Sequence, residues 1–127
     1  MLLDPWLDAA RIARTLAAPG SALLVVLAAE GWCSKCRDLR PGFHDYVQQH
    51  DVPGLVCLWL DIEEHAELLG DFIPDDLPLC LHYNASGLVR AGILRAADAS
   101  QLDIAPHTLS EAQPDLRQLL MMADWAA

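Results

Sequence analysis

The sequence is poor in positive charge and contains no long apolar run. Eight Lys and Arg residues stand against eighteen Asp and Glu residues, which gives a formal net charge of −10. A surface of this sign repels a phosphate backbone, so we expect no nucleic-acid partner. No apolar stretch reaches the length of about 18 residues that marks a transmembrane helix, so we expect no membrane partner either.

The chain also lacks the marks of several other protein classes. It contains no internal repeat, and its 127 residues match the length of one ordinary domain, so we predict a single domain over 1–127. Four cysteines are too few for a disulfide scaffold of this length. The start of the sequence has neither the basic nor the apolar region of a secretory signal, so we expect a cytoplasmic protein.

The spacing of apolar residues predicts alternating helices and strands in the first half. Asp4-Pro5 is typical of an N-cap followed by the first residue of a helix, which Pro19-Gly20 would end. The continuous apolar run 22–29 predicts a strand that is covered on both faces, and 55–60 predicts a second strand parallel to it. After Cys33 the apolar residues recur every three or four positions, which predicts a helix between the two strands.

The second half has a different pattern. It predicts a short helix over 63–72 and an antiparallel hairpin with strands 79–83 and 88–94. The segment 95–109 is polar and lacks clear periodicity, so we predict a long connection. A capping box at 110–113 then begins a last helix. This order predicts an α/β fold in which a mixed β-sheet is flanked by helices on both faces.

The chemistry of the sequence is concentrated in Trp32-Cys33-Ser34-Lys35-Cys36. Two cysteines at this spacing can close a disulfide or chelate a metal, and the strand–helix–strand context favours redox chemistry. Cys33 falls at the predicted start of a helix, where unpaired backbone N–H groups and the helix dipole stabilise a thiolate. We therefore predict that Cys33 and Cys36 are catalytic and that Ser34 and Lys35 tune the thiolate.

A structural zinc site is the alternative use of the two cysteines. Zinc needs two further ligands, and no second Cys-x-x-Cys is present. Cys80-Leu81-His82 is the remaining candidate pair, but it lies in a predicted core strand, so we expect no metal. We predict that Cys57 and Cys80 are buried core thiols. The histidines show no ligand spacing, and we place them on helix surfaces or in loops, with His82 as a candidate core residue.

The arrangement resembles the thioredoxin family. The resemblance rests on the apolar strand that leads into Trp32-Cys33-x-x-Cys36 and on Pro41, five residues after the second cysteine. It also rests on Leu77-Pro78 before a strand and on Gly87 in the hairpin turn. It covers 22–94 and the last helix, and it implies a thioredoxin-like fold.

The resemblance also implies a function, which is thiol–disulfide exchange on protein disulfide substrates. It implies that Cys33 attacks and Cys36 resolves, that the Leu77–Pro78 bond is cis, and that Trp32, Leu77 and Pro78 shape the substrate groove. No cofactor would be needed. An external reductant such as thioredoxin reductase or the glutathione system would regenerate the dithiol, and we expect a monomer.

Three features depart from the thioredoxin pattern. Ser34-Lys35 stands where thioredoxin has Gly-Pro, and 95–109 is longer than the corresponding connection. Leu27 occupies the position of the family's buried acid, and Cys57 that of its lysine partner. A buried ion pair replaced by apolar groups is energetically coherent, but it removes a proton acceptor. Leu27, Cys57 and the segment 95–109 favour the alternative function of a thioredoxin-fold binding or chaperone module with little turnover.

Overall fold

The structure is a computed structural model that describes residues 2–70, 72, 74–106 and 115–122. In chain order its elements are α1 (Ala9–Ala17), β1 (Ala22–Ala28), α2 (Ser34–Gln49), β2 (Leu55–Asp61), α3 (Ala66–Leu69), β3 (Leu79–Asn84), β4 (Gly87–Ala97), β5 (Leu102–Pro106) and α4 (Leu116–Met122). The predicted α/β class is therefore confirmed. None of the helices in these ranges has both the length and the apolar character needed to cross a bilayer.

The strands form one mixed sheet of five strands in the order β2-β1-β3-β4-β5. β1 pairs in parallel with β2 and antiparallel with β3, and the β3–β4 hairpin was predicted correctly. Because β1 has a strand on each side and layers on both faces, every residue from Leu23 to Ala28 is buried. This position explains the continuous apolar run in the sequence.

Helices cover both faces of the sheet, as predicted. α2 packs on the face that carries Trp59, since the Phe43 ring centroid lies 5.6 Å from that of the indole. Tyr83 points to the opposite face, where its hydroxyl accepts a hydrogen bond from the backbone N–H of Leu116 in α4. α1 packs against α4 on that side.

The start of α1 was predicted wrongly. The Asp4 carboxylate does act as a cap, since its Oδ1 accepts the backbone N–H groups of Trp6 and Leu7 at 2.8 and 2.9 Å. These bonds close a turn, however, and the helix begins only at Ala9. The helix predicted over 63–72 is likewise shorter, because residues 62–65 form a turn before α3.

The segment 95–109 contains a strand that the sequence analysis missed. β4 extends to Ala97, and β5 pairs antiparallel with it along the edge of the sheet. β5 is short, carries Asp103 and ends at Pro106, so the alternation of Leu102, Asp103 and Ile104 is too brief to predict a strand; such residues are tolerated at an edge. Residues 107–109 and the predicted capping box at 110–113 lie outside the described residues.

The strand register corrects the pairing inferred for Leu27. Leu27 lies opposite Leu60 in β2 and Leu79 in β3, whereas Cys57 lies opposite Leu24. Partners in register share a face, and successive residues alternate, so Leu27 and Cys57 lie on opposite faces of the sheet. The immediate strand neighbours of position 27 are therefore leucines.

Gly42 sets the close approach of α2 to β4. A Cβ atom built on Gly42 would overlap the carbonyl oxygen of Ala97, which is backbone and cannot rotate away. Glycine within a helix normally costs about 1 kcal/mol relative to alanine. Here the missing side chain is what allows the two elements to pack.

We predict that Gly42→Ala lowers the free energy of unfolding by about 1–3 kcal/mol, because α2 must shift away from β4. Urea denaturation would measure the change. Gln48→Ala, at an exposed position of the same helix, is the matched control and should leave stability within about 0.5 kcal/mol of the parent. A Gly42→Ala variant as stable as the parent would contradict the close packing.

Candidate functional site

Cys33 lies at the junction of the loop after β1 and the first turn of α2. It is the N-cap residue of α2, and its Sγ accepts a hydrogen bond from the Cys36 backbone N–H at 3.2 Å. Its own N–H donates to the Ala29 carbonyl oxygen at 2.8 Å, which ties the motif to the end of β1. The sulfur thus takes the place of an N-cap oxygen and meets the positive end of the helix dipole.

The two thiols of the motif differ in exposure. Cys33 is half-buried, whereas Cys36 is completely buried on the inner side of the first helical turn. Burial and, after it, the interaction with Cys33 together raise the pKa of the Cys36 thiol to about 12, against the lowering effects of the Ala29 backbone and Lys35. Cys36 is therefore protonated at neutral pH, and Cys33 is the thiol that solvent can reach.

The segment before β3 reaches the motif through an ion pair. Lys35 Nζ lies 3.8 Å from Asp76 Oδ1, although both side chains are about half exposed and such pairs contribute little to stability. The Leu77–Pro78 bond that follows is cis, as the resemblance implied. The Pro78 carbonyl oxygen accepts the Leu94 N–H at 2.9 Å, which anchors the segment to β4.

The predicted groove residues differ in what they present to solvent. Trp32 is 63 % exposed, next to Cys33, and offers a large apolar surface. Leu77 and Pro78 are buried, so their side chains belong to the core. Ser34 and Lys35 lie in the first turn of α2 and are exposed.

Two arginines hold the loop that leads into the motif. Arg40 Nη1 donates to the Glu30 carboxylate at 2.5 Å, and Arg37 Nη1 donates to the Glu30 carbonyl oxygen at 2.6 Å. The Arg40 guanidinium also lies 5.9 Å from the centre of the Trp59 ring. The negative charge of Glu30 is thus paired with an arginine of α2. The sequence spacing alone did not indicate this role for Arg40.

Asp61 is a second residue that the sequence analysis did not assign to the site. It is buried at the end of β2, where Oδ2 accepts the Glu30 N–H at 2.9 Å and Oδ1 accepts those of Glu63 and Glu64 at 2.8 and 3.2 Å. Burial acts to raise the pKa of Asp61, but these three N–H groups together outweigh it and the pKa lies below its usual value. Its position at the carboxyl end of a strand, beside the end of β1, was the available signal.

His65 completes this cluster, and its predicted place on the surface was wrong. It is buried, and its Nδ1 accepts the Asp61 backbone N–H at 2.9 Å. The His65 ring stacks on Trp6 with the ring centroids 6.1 Å apart. An Nδ1 that accepts leaves the proton of the neutral ring on Nε2.

We predict that Asp61→Asn lowers the free energy of unfolding by about 2 kcal/mol near pH 7, because hydrogen bonds to a charged acceptor are lost. The Asp61 pKa is lowered on folding, so its stabilisation is present above the unfolded value of about 3.9 and is lost as pH falls through the folded pKa. The difference between parent and variant should therefore shrink below about pH 4.

Urea denaturation at a series of pH values would measure that difference. Asp103→Asn is the matched control. Asp103 is exposed, and its distance of 4.0 Å to Arg95 is at the limit for an ion pair, so its charge contributes little to stability. An Asp61→Asn variant that matched the Asp103→Asn variant at pH 7 would contradict the role of the buried carboxylate.

The cysteine pairs considered for zinc do not assemble into a metal site in the described part of the chain. There, no group of three or more His, Cys, Asp or Glu side chains is placed to hold a metal ion. Cys80 and His82 instead line a cavity on the α2 face of the sheet. Cys57 and Cys80 are both buried, as predicted, and burial raises their pKa values to about 11 and about 12.

Comparison with known proteins adds no name to this site. Neither a scan against known protein families nor a search of curated proteins returns a match to the chain. The Cys-x-x-Cys spacing and the mixed sheet with helices are compatible with a thioredoxin-like fold. The function of the site is therefore inferred from its geometry.

We predict that limiting iodoacetamide labels the reduced protein at Cys33, because the other three thiols are buried and protonated near neutral pH. Peptide mapping by mass spectrometry would locate the label. The Cys33→Ser variant should fall to background labelling, and denaturant should make all remaining thiols reactive. Predominant labelling of Cys36, Cys57 or Cys80 in the folded protein would be the contrary result.

Proposed function

We propose that this protein is a thioredoxin-like thiol–disulfide oxidoreductase that acts on protein disulfides through Cys33 and Cys36. The observation that carries the proposal is the half-buried Cys33 sulfur at the start of α2, bonded to the N–H of a fully buried Cys36. An accessible first thiol and a shielded second thiol are what sequential exchange requires. The mixed sheet and the cis Leu77–Pro78 bond support the same family.

The exchange proceeds in two steps. The Cys33 thiolate attacks one sulfur of a substrate disulfide, forms a mixed disulfide and releases the other sulfur as a thiolate. Cys36 then loses its proton and attacks the Cys33 sulfur, which closes the Cys33–Cys36 disulfide and releases the second substrate thiol. The substrate gains two electrons and the protein loses two. An external reductant, such as thioredoxin reductase or the glutathione system, restores the dithiol.

The second step is the difficult one in this protein. The Cys36 thiol has a pKa of about 12 and must lose its proton to act as a nucleophile. Leu27, where thioredoxins carry a buried acid, cannot accept that proton, and its neighbours in register are Leu60 and Leu79. Mixed disulfides with substrates should therefore be long-lived.

Substrate contact falls mainly to Trp32 in this proposal. Its exposed indole offers apolar area beside the Cys33 sulfur. The buried Leu77 and Pro78 would shape the groove through their backbone, and Ser34 and Lys35 would tune the thiolate. The same proposal holds that the protein works in the cytoplasm as a monomeric single domain, without a cofactor.

A thioredoxin-fold binding or chaperone module is the second candidate. It is favoured by the high pKa of the buried Cys36 thiol, which slows turnover. In such a module the exposed Trp32 would hold a partner while the cysteines exchanged slowly or not at all. The two candidates differ in measurable catalysis.

We predict that the protein accelerates the reduction of insulin by dithiothreitol beyond the rate with the reagent alone, as followed by turbidity. Cys33→Ser should abolish the acceleration, because the attacking sulfur is lost. Cys36→Ser should abolish turnover but accumulate a mixed disulfide with the substrate, visible on a non-reducing gel. Cys80→Ala, at a buried thiol outside the motif, is the matched control.

The same assay decides between the two candidates. A folded parent protein that gave no acceleration would reject the oxidoreductase and leave the binding module. Equal acceleration by the Cys33→Ser variant would reject the roles assigned to the motif.

A further inference from the structure

A cavity of about 380 Å³ lies on the α2 face of the sheet, away from the cysteine motif. Its walls include Tyr46 and His50 from the end of α2, together with residues of β1, β3, β4 and β5. At 1.5 Å per helical residue, these two side chains lie about 15–20 Å along the helix from Cys36. The cavity is therefore separate from the candidate redox site.

The cavity has a buried apolar floor and an exposed polar rim. Leu24, Cys80 and Ile104 form the floor and are 7 %, 2 % and 8 % exposed. Arg90 and the loop residues Ser100 and Gln101 are exposed at the rim. A concave apolar interior with a few converging polar groups is typical of small-molecule sites, which have volumes of about 300 Å³ or more.

The charge at the rim is opposite in sign to that of the chain. None of the described residues that line the cavity is acidic, although the chain carries a net charge of −10. Arg90 is the cation among them. Within the described part of the chain its side chain makes one hydrogen bond, from Nη2 to the Ile104 carbonyl oxygen at 3.5 Å, which is the limit of a hydrogen bond. Most of its guanidinium donors therefore remain for a ligand.

His82, which lies opposite Arg90 in the β3–β4 pair, adds no second full charge. Burial lowers the pKa of His82, and the positive charge of Arg90 lowers it further, so the imidazole is neutral near pH 7. His50 Nδ1 is engaged by the Tyr46 carbonyl oxygen at 2.9 Å, and the two rings stack with centroids 4.0 Å apart. Arg90 is thus the permanent cation that the described lining residues present above apolar walls.

Hydrogen bonds within the protein fix the loop at the rim. Asp98 Oδ1 accepts the N–H groups of Ser100 and Gln101 at 2.8 and 2.9 Å and the Ser100 hydroxyl at 2.6 Å. These three bonds fix the loop between β4 and β5. Asp98 itself does not line the cavity.

We infer that this cavity binds a small monocarboxylate with an apolar body. The carboxylate would lie against Arg90 at the rim, because a guanidinium pairs with a carboxylate through two parallel hydrogen bonds. The body would pack on Leu24 and Ile104. A cation would be repelled, and a dianion would leave one negative charge without a partner. The inference does not depend on the proposed redox function.

Titration of the reduced, full-length protein with phenylacetate, followed by amide NMR spectra, tests the inference. We expect saturable shifts at the backbone amides of Leu24, Cys80 and Ile104. Phenylacetamide and 2-phenylethylamine keep the same body without the negative charge, and acetate keeps the charge without the body. Each should bind at least about tenfold more weakly, as expected when one charged hydrogen bond or the apolar contact is lost.

Arg90→Gln should weaken phenylacetate binding by about tenfold or more, because the charged donor is removed. Arg95→Gln is the matched control on the same strand, since Arg95 is exposed and does not line the cavity. The remaining amide shifts of Arg90→Gln verify that the variant is folded. No saturable shift up to about 10 mM phenylacetate, equal binding of phenylacetamide, or unchanged affinity in Arg90→Gln would overturn the inference.

Discussion

The Asp61 carboxylate ties together the two chain segments that leave β1 and β2 at the same edge of the sheet. One of its oxygens accepts the N–H of Glu30, on the way to the cysteines, and the other accepts those of Glu63 and Glu64, on the way to α3. Because β1 and β2 are parallel, their carboxyl ends lie at the same edge of the sheet, and one buried carboxylate can bind the segments that follow both strands. Cys33 lies three residues beyond Glu30 in the same loop, so its position depends on a carboxylate that takes no part in exchange.

The asymmetry of the two thiols follows from helix geometry alone. An N-cap residue stands outside the first turn, whereas the residue three positions later lies within it. With β1 buried on both faces, that turn can only sit with its inner side on the core, so Cys36 is enclosed while Cys33 is reachable. The access of solvent to the two thiols is thereby set by the residue at which α2 begins.

Much of the fold follows from local sequence patterns. The apolar runs of β1 and β2, the helix after Cys33 and the β3–β4 hairpin each carry an unbroken signal over their whole length. The signal of β5 is weak, because the strand has five residues and only Leu102 and Ile104 face the core, so its pairing with β4 decides its place. Asp4 looked like a helix cap because a turn and a helix start use the same Asp bond.

The site was less predictable than the fold for a related reason. Residues close in sequence, such as Cys33 and Cys36, can be recognised from their spacing. Asp61, by contrast, reaches the loop before the motif from the neighbouring strand, and His65 bonds to Asp61. Asp61 meets Glu30 only because β1 and β2 align in parallel register, and a strand-end acid by itself is compatible with a solvated surface. His65 is buried by the turn that Asp61 closes, so its place could be predicted only once that of Asp61 was known.

The charges around the motif suggest that backbone groups, more than side chains, act on Cys33. Three of the eight Lys and Arg residues, Lys35, Arg37 and Arg40, lie in the first two turns of α2. Arg40 is paired with Glu30. Lys35 forms an exposed ion pair with Asp76, which water and salt screen strongly. The Cys36 N–H, by contrast, donates a hydrogen bond directly to the Cys33 sulfur. A Cys33 thiolate would therefore depend first on the intact first turn of α2, which Asp61 and the Ala29 carbonyl hold in place.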